Sequence, residues 1–194
     1  MPNQDKKYEI KNAARQLFHR FGLHKTNMDD IAQAAGMAKP TLYYYYKSKE
    51  DLFNEIVLED SIEFLNNIQK QVPPNLPADQ KLQKFMELVY INLEEMAGQI
   101  SVVDVHICHS LPHGEPIVQK IGQIASDYIK PVLEEGIKAN IFSITNVDVT
   151  IKSLLMMTHF LNIPWIKEVP KKERDDIFKA TVSIIISGLK RRDS

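Results

Sequence analysis

Few of this chain's residues can staple, cradle or span. One cysteine in 194 residues excludes an internal disulfide framework and any multi-cysteine zinc module. Seven glycines, none of them clustered, leave no phosphate-cradling loop. The longest unbroken apolar run is five residues, Leu42 to Tyr46, far short of the roughly 20 that a membrane helix needs. The stretch from Met1 to Lys7 has no apolar signal-peptide region, which predicts a cytoplasmic protein without a membrane partner. What is present is ordinary: 44% apolar and 25% charged residues, the balance of a chain that folds around a core.

Charge is near zero in total but unevenly spread. Residues 1–49 hold nine Lys/Arg against four Asp/Glu, and residues 50–194 hold fifteen against twenty-one. The basic first quarter is compatible with a nucleic acid at that end. The excess is local, because Glu50, Asp51, Glu55, Glu59 and Asp60 follow directly.

Helical periodicity runs through the whole chain, and the fold class it predicts is all-α. Ile10, Ala13, Ala14, Leu17, Phe18 and Phe21 share one face of a helix, and Gly22 follows in a position suited to its C-terminal cap. Asn27 suits an N-cap, with Asp30 in the next turn, and Met28, Ile31, Ala32 and Ala35 form a short stripe ended by Gly36. Pro40 fits a first helical turn, a short helix continues to Tyr46, and Ser48 caps another that runs to about Gln71. Beyond Pro73, Pro74 and Pro77, helices are expected at about 78–97, 99–110, 116–139, 147–163 and 171–190, with Pro112 and Pro164 as stops.

Two short helices joined by Ala35-Gly36-Met37-Ala38 have the form of a helix-turn-helix, whose second helix enters the DNA major groove. Tyr43 to Tyr46 sweep most of that helix's circumference at about 100° per residue, so they cannot all be buried. Tyr46 shares a face with Leu42, which makes those two the core pair. Tyr43, Tyr44 and Tyr45 then point partly outwards near Lys39, Thr41 and Lys47. That arrangement suits a phosphate-lined groove, and equally a dimer or ligand surface.

The stretch from Gly22-Leu23-His24-Lys25-Thr26-Asn27-Met28-Asp29-Asp30-Ile31-Ala32 through Ala35-Gly36-Met37-Ala38-Lys39-Pro40-Thr41-Leu42-Tyr43-Tyr44-Tyr45-Tyr46 to Lys47-Ser48-Lys49-Glu50-Asp51-Leu52 closely resembles the DNA-binding domain of tetracycline-repressor (TetR) family regulators. The resemblance implies about nine helices in two parts. Residues 1–47 would form a three-helix DNA-binding domain, and residues 48–194 a helical ligand-binding and dimerisation domain. It also implies a homodimer on a double-stranded DNA operator, a small-molecule effector of unknown identity, no cofactor and no enzymatic activity. Residue by residue, Lys39, Pro40, Thr41 and Tyr44 fall where base edges are read. Tyr43, Tyr45 and Lys49 look like phosphate contacts, as does Asn27 with its helix N-terminus.

Beyond that motif the sequence is less specific. Asp104, His106, Cys108, His109 and His113 form the one metal-like cluster, although Pro112 interrupts its helical spacing. His106 and His109 are candidate ligand anchors, with a metal-responsive or small-molecule sensor as the alternative function. No metal site is assigned. Phe85, Met86, Tyr90, Met156, Met157, Phe160 and Trp165 could line an apolar cavity for a mostly apolar effector, or form plain core. The last helix carries Ile177, Phe178, Val182, Ile184, Ile185, Ile186 and Leu189 around more than one face, with Ala180, Ser183 and Ser187 between. Together with the 147–163 helix it is the expected dimer interface.

Overall fold

A computed structural model of the chain describes residues 2–98, 105–158 and 163–191. Among them, helices account for all the regular structure. These are α1 (Pro2–Lys25), α2 (Met28–Ala34), α3 (Lys39–Tyr45), α4 (Lys49–Gln71), α5 (Ala78–Gly98), α6 (Val105–Cys108), α7 (Glu115–Lys138), α8 (Val147–Thr158), α9 (Ile163–Glu168) and α10 (Lys171–Leu189). A lone antiparallel bridge pairs Phe142 with Lys190. The all-α expectation holds, with α6 and α9 as single short segments added to the longer helices.

The helix boundaries follow local chemistry. Gly22 interrupts α1 at φ 77°, ψ 164°, an extended left-sided conformation rather than a helical left-handed cap, and one open mainly to glycine. Phe21, immediately before that break, is 46% exposed instead of joining the buried face of Ile10, Ala14 and Phe18. Arg20 lies over the Phe21 ring, 5.0 Å from its centre. Ser48 starts α4 as expected, its hydroxyl accepting from the Asp51 amide at 3.1 Å. Pro164 opens α9 in its first turn instead of stopping a helix, a position where the missing N–H has no helical partner to lose. The segment expected as a helix over 99–110 is helical at Val105–Cys108 and ends in turns before Pro112.

The chain packs as two compact units. The first reaches Ile62 and takes in the segment that ends at Ile121; the second begins at Glu63 and resumes at Gly122. Leu52, Phe53, Ile56 and Val57 of α4 lie in the same core as Ile10, Phe18, Ile31 and Leu42. The first packing unit therefore extends past the functional segment expected to end at residue 47. Phe18 and Phe53 meet edge to face at 5.5 Å across it. Charge also ties α1 to α4: Lys11 bonds Glu55 and Glu59, and Arg15 bonds Asp60 at 2.7 Å. These partners are more than forty positions apart, so no local pattern announces them.

The second unit is built on Leu82, Phe85, Tyr90, Leu133, Phe142, Ile151, Phe178 and Val182. Tyr90 stacks on Phe178 with ring centres 4.3 Å apart, and its hydroxyl donates to Asp175 at 2.7 Å. Burial and that carboxylate push the Tyr90 phenol up to about 12. Glu94 accepts from Arg174 at 2.5 Å and Lys171 at 2.6 Å. Burial alone would raise the Glu94 carboxyl, but the two cations outweigh it and hold it below the usual carboxylate range. Asp79 is likewise lowered, chiefly by its bond to Lys190. A carboxylate lowered on folding stabilises the fold above its unfolded pKa, and that contribution is lost as pH falls through the folded value. Thermal melts from pH 7 down through the acid range should therefore show a loss beginning near pH 4.5. Glu94→Gln should flatten that fall, and an equally steep fall in the variant would exclude the cluster as its source.

Candidate nucleic-acid interface

The helix-turn-helix is assembled by caps and by one small core. Asn27 adopts an extended backbone, and its side-chain oxygen accepts from the Asp30 amide at 2.9 Å, starting α2. Ile31 and Ala32 are buried while Asp29 and Asp30 face outwards. The turn is closed by amides of Ala35, Gly36 and Met37 donating to Ile31, Gln33 and Ala32 carbonyls at 2.9–3.1 Å. Gly36 sits at φ 64°, the left-handed geometry that glycine adopts without steric cost. Pro40 then stands in the first turn of α3, whose fully buried residue is Leu42.

This orientation sorts the four tyrosines. Tyr46 is buried beside Leu42, in extended backbone just after α3. Tyr44 is 79% exposed and Tyr43 is exposed to a lesser degree. Tyr45 is half-buried, and its ring meets Tyr44 edge to face at 5.3 Å. Lys39, Pro40 and Thr41 are exposed at the start of the helix, and Asn27 is exposed before α2. Seven of the eight residues expected at DNA thus present themselves on this surface.

Two lysines have engagements that the sequence does not announce. Lys39 Nζ lies 2.7 Å from Asp29 Oδ1 and 5.9 Å from the centre of the Tyr43 ring. The hydrogen bond to Asp29 raises the Lys39 ammonium above its ordinary range. Lys49 turns inwards: its Nζ donates to the carbonyls of Leu23 at 2.9 Å, His24 at 3.2 Å and Thr26 at 2.9 Å. Asp29 is the residue that sequence reasoning passed over, since a first-turn acidic residue reads simply as a dipole partner.

The expected effector residues fall into different settings. Phe85 is buried with its ring 4.5 Å from Tyr128, Tyr90 is in the second core, and Met86, Met157 and Trp165 pack partly buried against that core. Met156 is 63% exposed on α8, so it lines no interior cavity: it falls on the outer face, whereas Ile151 and Leu154 take the inner one. His109 belongs to the first unit, exposed, its Nδ1 3.2 Å from a Glu115 oxygen. Phe160 and the side chain of His106 lie outside the described residues, as does Asp104. Among the described residues no three His, Cys, Asp or Glu side chains converge as metal ligands. A cleft of about 540 Å³ runs between α5 and α10, lined by Tyr90, Glu94, Asp175 and Phe178 among others.

Comparison with known proteins agrees with the interface. The family described as bacterial regulatory proteins, tetR family, matches residues 10–56. An uncharacterized HTH-type transcriptional regulator, YhgD of Bacillus subtilis (strain 168), is 26% identical over 187 residues, covering 95% of this chain and 97% of that protein. The HTH-type transcriptional repressor KstR2 of Rhodococcus jostii (strain RHA1) is 23% identical, covering 93% of this chain and 89% of its own. Among solved structures, the transcriptional regulator FadR from Bacillus subtilis in complex with stearoyl-CoA superposes with a TM-score of 0.68. It shares 19% identity and covers 94% of this chain and 98% of that one, a likeness of fold. Residues 10–56 therefore carry a helix-turn-helix domain of the bacterial regulatory proteins, tetR family, on a chain that is similar along almost its whole length to HTH-type transcriptional regulators.

Proposed function

We propose that this regulator is a dimeric repressor that reads a near-palindromic operator and leaves it when an amphipathic small molecule binds. The observation that carries the DNA reading is the orientation of α3: Leu42 is fully buried, which leaves Lys39, Thr41 and Tyr44 on its free face. In this reading Lys39, Pro40, Thr41 and Tyr44 meet base edges, while Asn27, Tyr43 and Tyr45 meet phosphates. Residues 1–47 are the DNA-reading part and residues 48–194 the sensing and pairing part, working in the cytoplasm where the operator is. Selection of genomic fragments on the purified protein tests it. Enrichment of fragments sharing a two-fold site is the expected result, and enrichment without such a site would defeat it.

The effector reading rests on the second unit. Phe85, Met86, Tyr90 and Trp165 supply aromatic and thioether surface there, and the cleft beside Tyr90 falls within the usual 300–1,000 Å³ of small-molecule sites. The relative solved with stearoyl-CoA makes a long-chain acyl thioester the first compound to try. The boundary between the units falls inside α4, which begins three residues after the helix-turn-helix core ends at Tyr46, so a shift of that one helix is felt by both. A ligand acts only through its preference for the released state. A typical coupling of about 1–3 kcal/mol weakens operator binding by roughly 5–150-fold. Operator DNA must then weaken acyl-thioester binding by the same factor. Equal affinity with and without operator would show that the compound is no inducer.

A further inference from the structure

The geometry points to Lys49 as a clasp that closes the helix-turn-helix and positions the recognition helix, rather than as a phosphate contact. An ammonium has three N–H donors, and three carbonyls take them: Leu23, His24 and Thr26, at 2.9, 3.2 and 2.9 Å. These oxygens are at the end of α1 and in the turn after it, where helix carbonyls lack intrahelical partners and a cation complements the dipole. The Thr26 hydroxyl takes a further one, donating to Gly22 O at 2.9 Å, so the end of α1 is capped by two side chains.

The chain positions give the cap its consequence. Thr26 lies just before α2, and Lys49 is the first residue of α4, just after the recognition helix. Their bond therefore joins the two ends of the segment that contains α2, the turn and α3. The core and ion pairs further along hold the body of α4 to α1, so what the bond fixes is the first turn of α4, and with it the end of α3 and its outward face. Lys49 is half-buried and Leu23 and Thr26 are buried, so water competes poorly for the Leu23 and Thr26 carbonyls.

This inference rests on the operator reading above, and its test separates the two. Lys49→Met removes the donors while keeping the stem. Lys49→Arg keeps the charge, but its planar fork does not converge on three carbonyls as an ammonium does. Melting of the full-length protein is followed without DNA. Binding to the selected operator and to a scrambled duplex is then titrated at several salt concentrations, well below the melting midpoints.

The clasp predicts a midpoint lowered by about 2–4 °C or more for Lys49→Met. Operator affinity falls at least about fivefold, the size of one lost base contact, while scrambled-duplex affinity and the salt slope stay unchanged. Lys49→Arg shows the same loss of preference, and it decides the question if Lys49→Met does not fold. A uniform loss on both duplexes, with a slope lower by about one unit, would make Lys49 a phosphate contact and overturn the clasp. Full operator preference in Lys49→Arg, or a lower midpoint with preference intact, also overturns it. Should the wild-type protein prefer no duplex, the operator reading falls, and an unchanged midpoint then overturns the clasp separately.

Discussion

Ile184→Asp should convert the protein to a monomer and abolish operator protection at concentrations where the wild type protects both half-sites. Ile184 is 70% exposed on α10, with Ile177 44% exposed two turns earlier on the same helix. On α8, Val149 and Met156 are 58% and 63% exposed. Large apolar groups at that spacing on two helices of the second unit are the pattern of a covered face, and the two-fold symmetry of the proposed dimer would present each of them twice. Burying one isoleucine is worth about 1.5–3 kcal/mol, and a carboxylate in its place brings a desolvation cost as well. The combined change, counted on both subunits, should raise the dimer dissociation constant by more than about 100-fold. Because one short recognition helix reads only a few base pairs, a lone half-site contact is weak. Analytical ultracentrifugation with footprinting measures both quantities. A variant that stays dimeric and protects the operator normally would place the interface on another face.

Lys39→Ala and Thr41→Ala should each weaken operator binding by about 1–3 kcal/mol, with little effect on unrelated DNA. The structure separates the two variants. Thr41 is exposed and has no side-chain partner of the kind described for Lys39, so its removal subtracts one contact. Lys39 is paired with Asp29 at 2.7 Å, so its removal also leaves a carboxylate uncompensated beside the phosphates. The Lys39→Ala loss should therefore be the larger, and adding Asp29→Asn should recover part of it. Asp29→Asn alone frees the ammonium, which should strengthen binding to unrelated DNA and narrow the specificity ratio. Isotherms at several salt concentrations check these outcomes. A loss for Lys39→Ala that is equal on all sequences, with the salt slope reduced by about one unit, would place that lysine at a phosphate.

Much of the fold and of the exposed face of the helix-turn-helix was legible from local pattern. The apolar spacing of Met28, Ile31 and Ala32, the Asn27 cap, Gly36 in the turn and Pro40 in the first turn of α3 are all chosen by interactions within a few residues. The division of the tyrosines followed from helical geometry, since Leu42 had to face the core and Tyr44 could not. Tertiary structure decided what depends on residues far apart in the chain. Lys49 reached three carbonyls 23 to 26 positions away and turned from the expected phosphate to the interior. Lys11 and Arg15 found carboxylates on α4 more than forty positions on, and Met156 fell on an outer face while Tyr90 stacked on Phe178. A side chain's face within a helix is set by a period of 3.6 residues and is written in the sequence. Which carbonyl, carboxylate or ring that face then meets depends on where the other helices come to rest, and only their packing settles it.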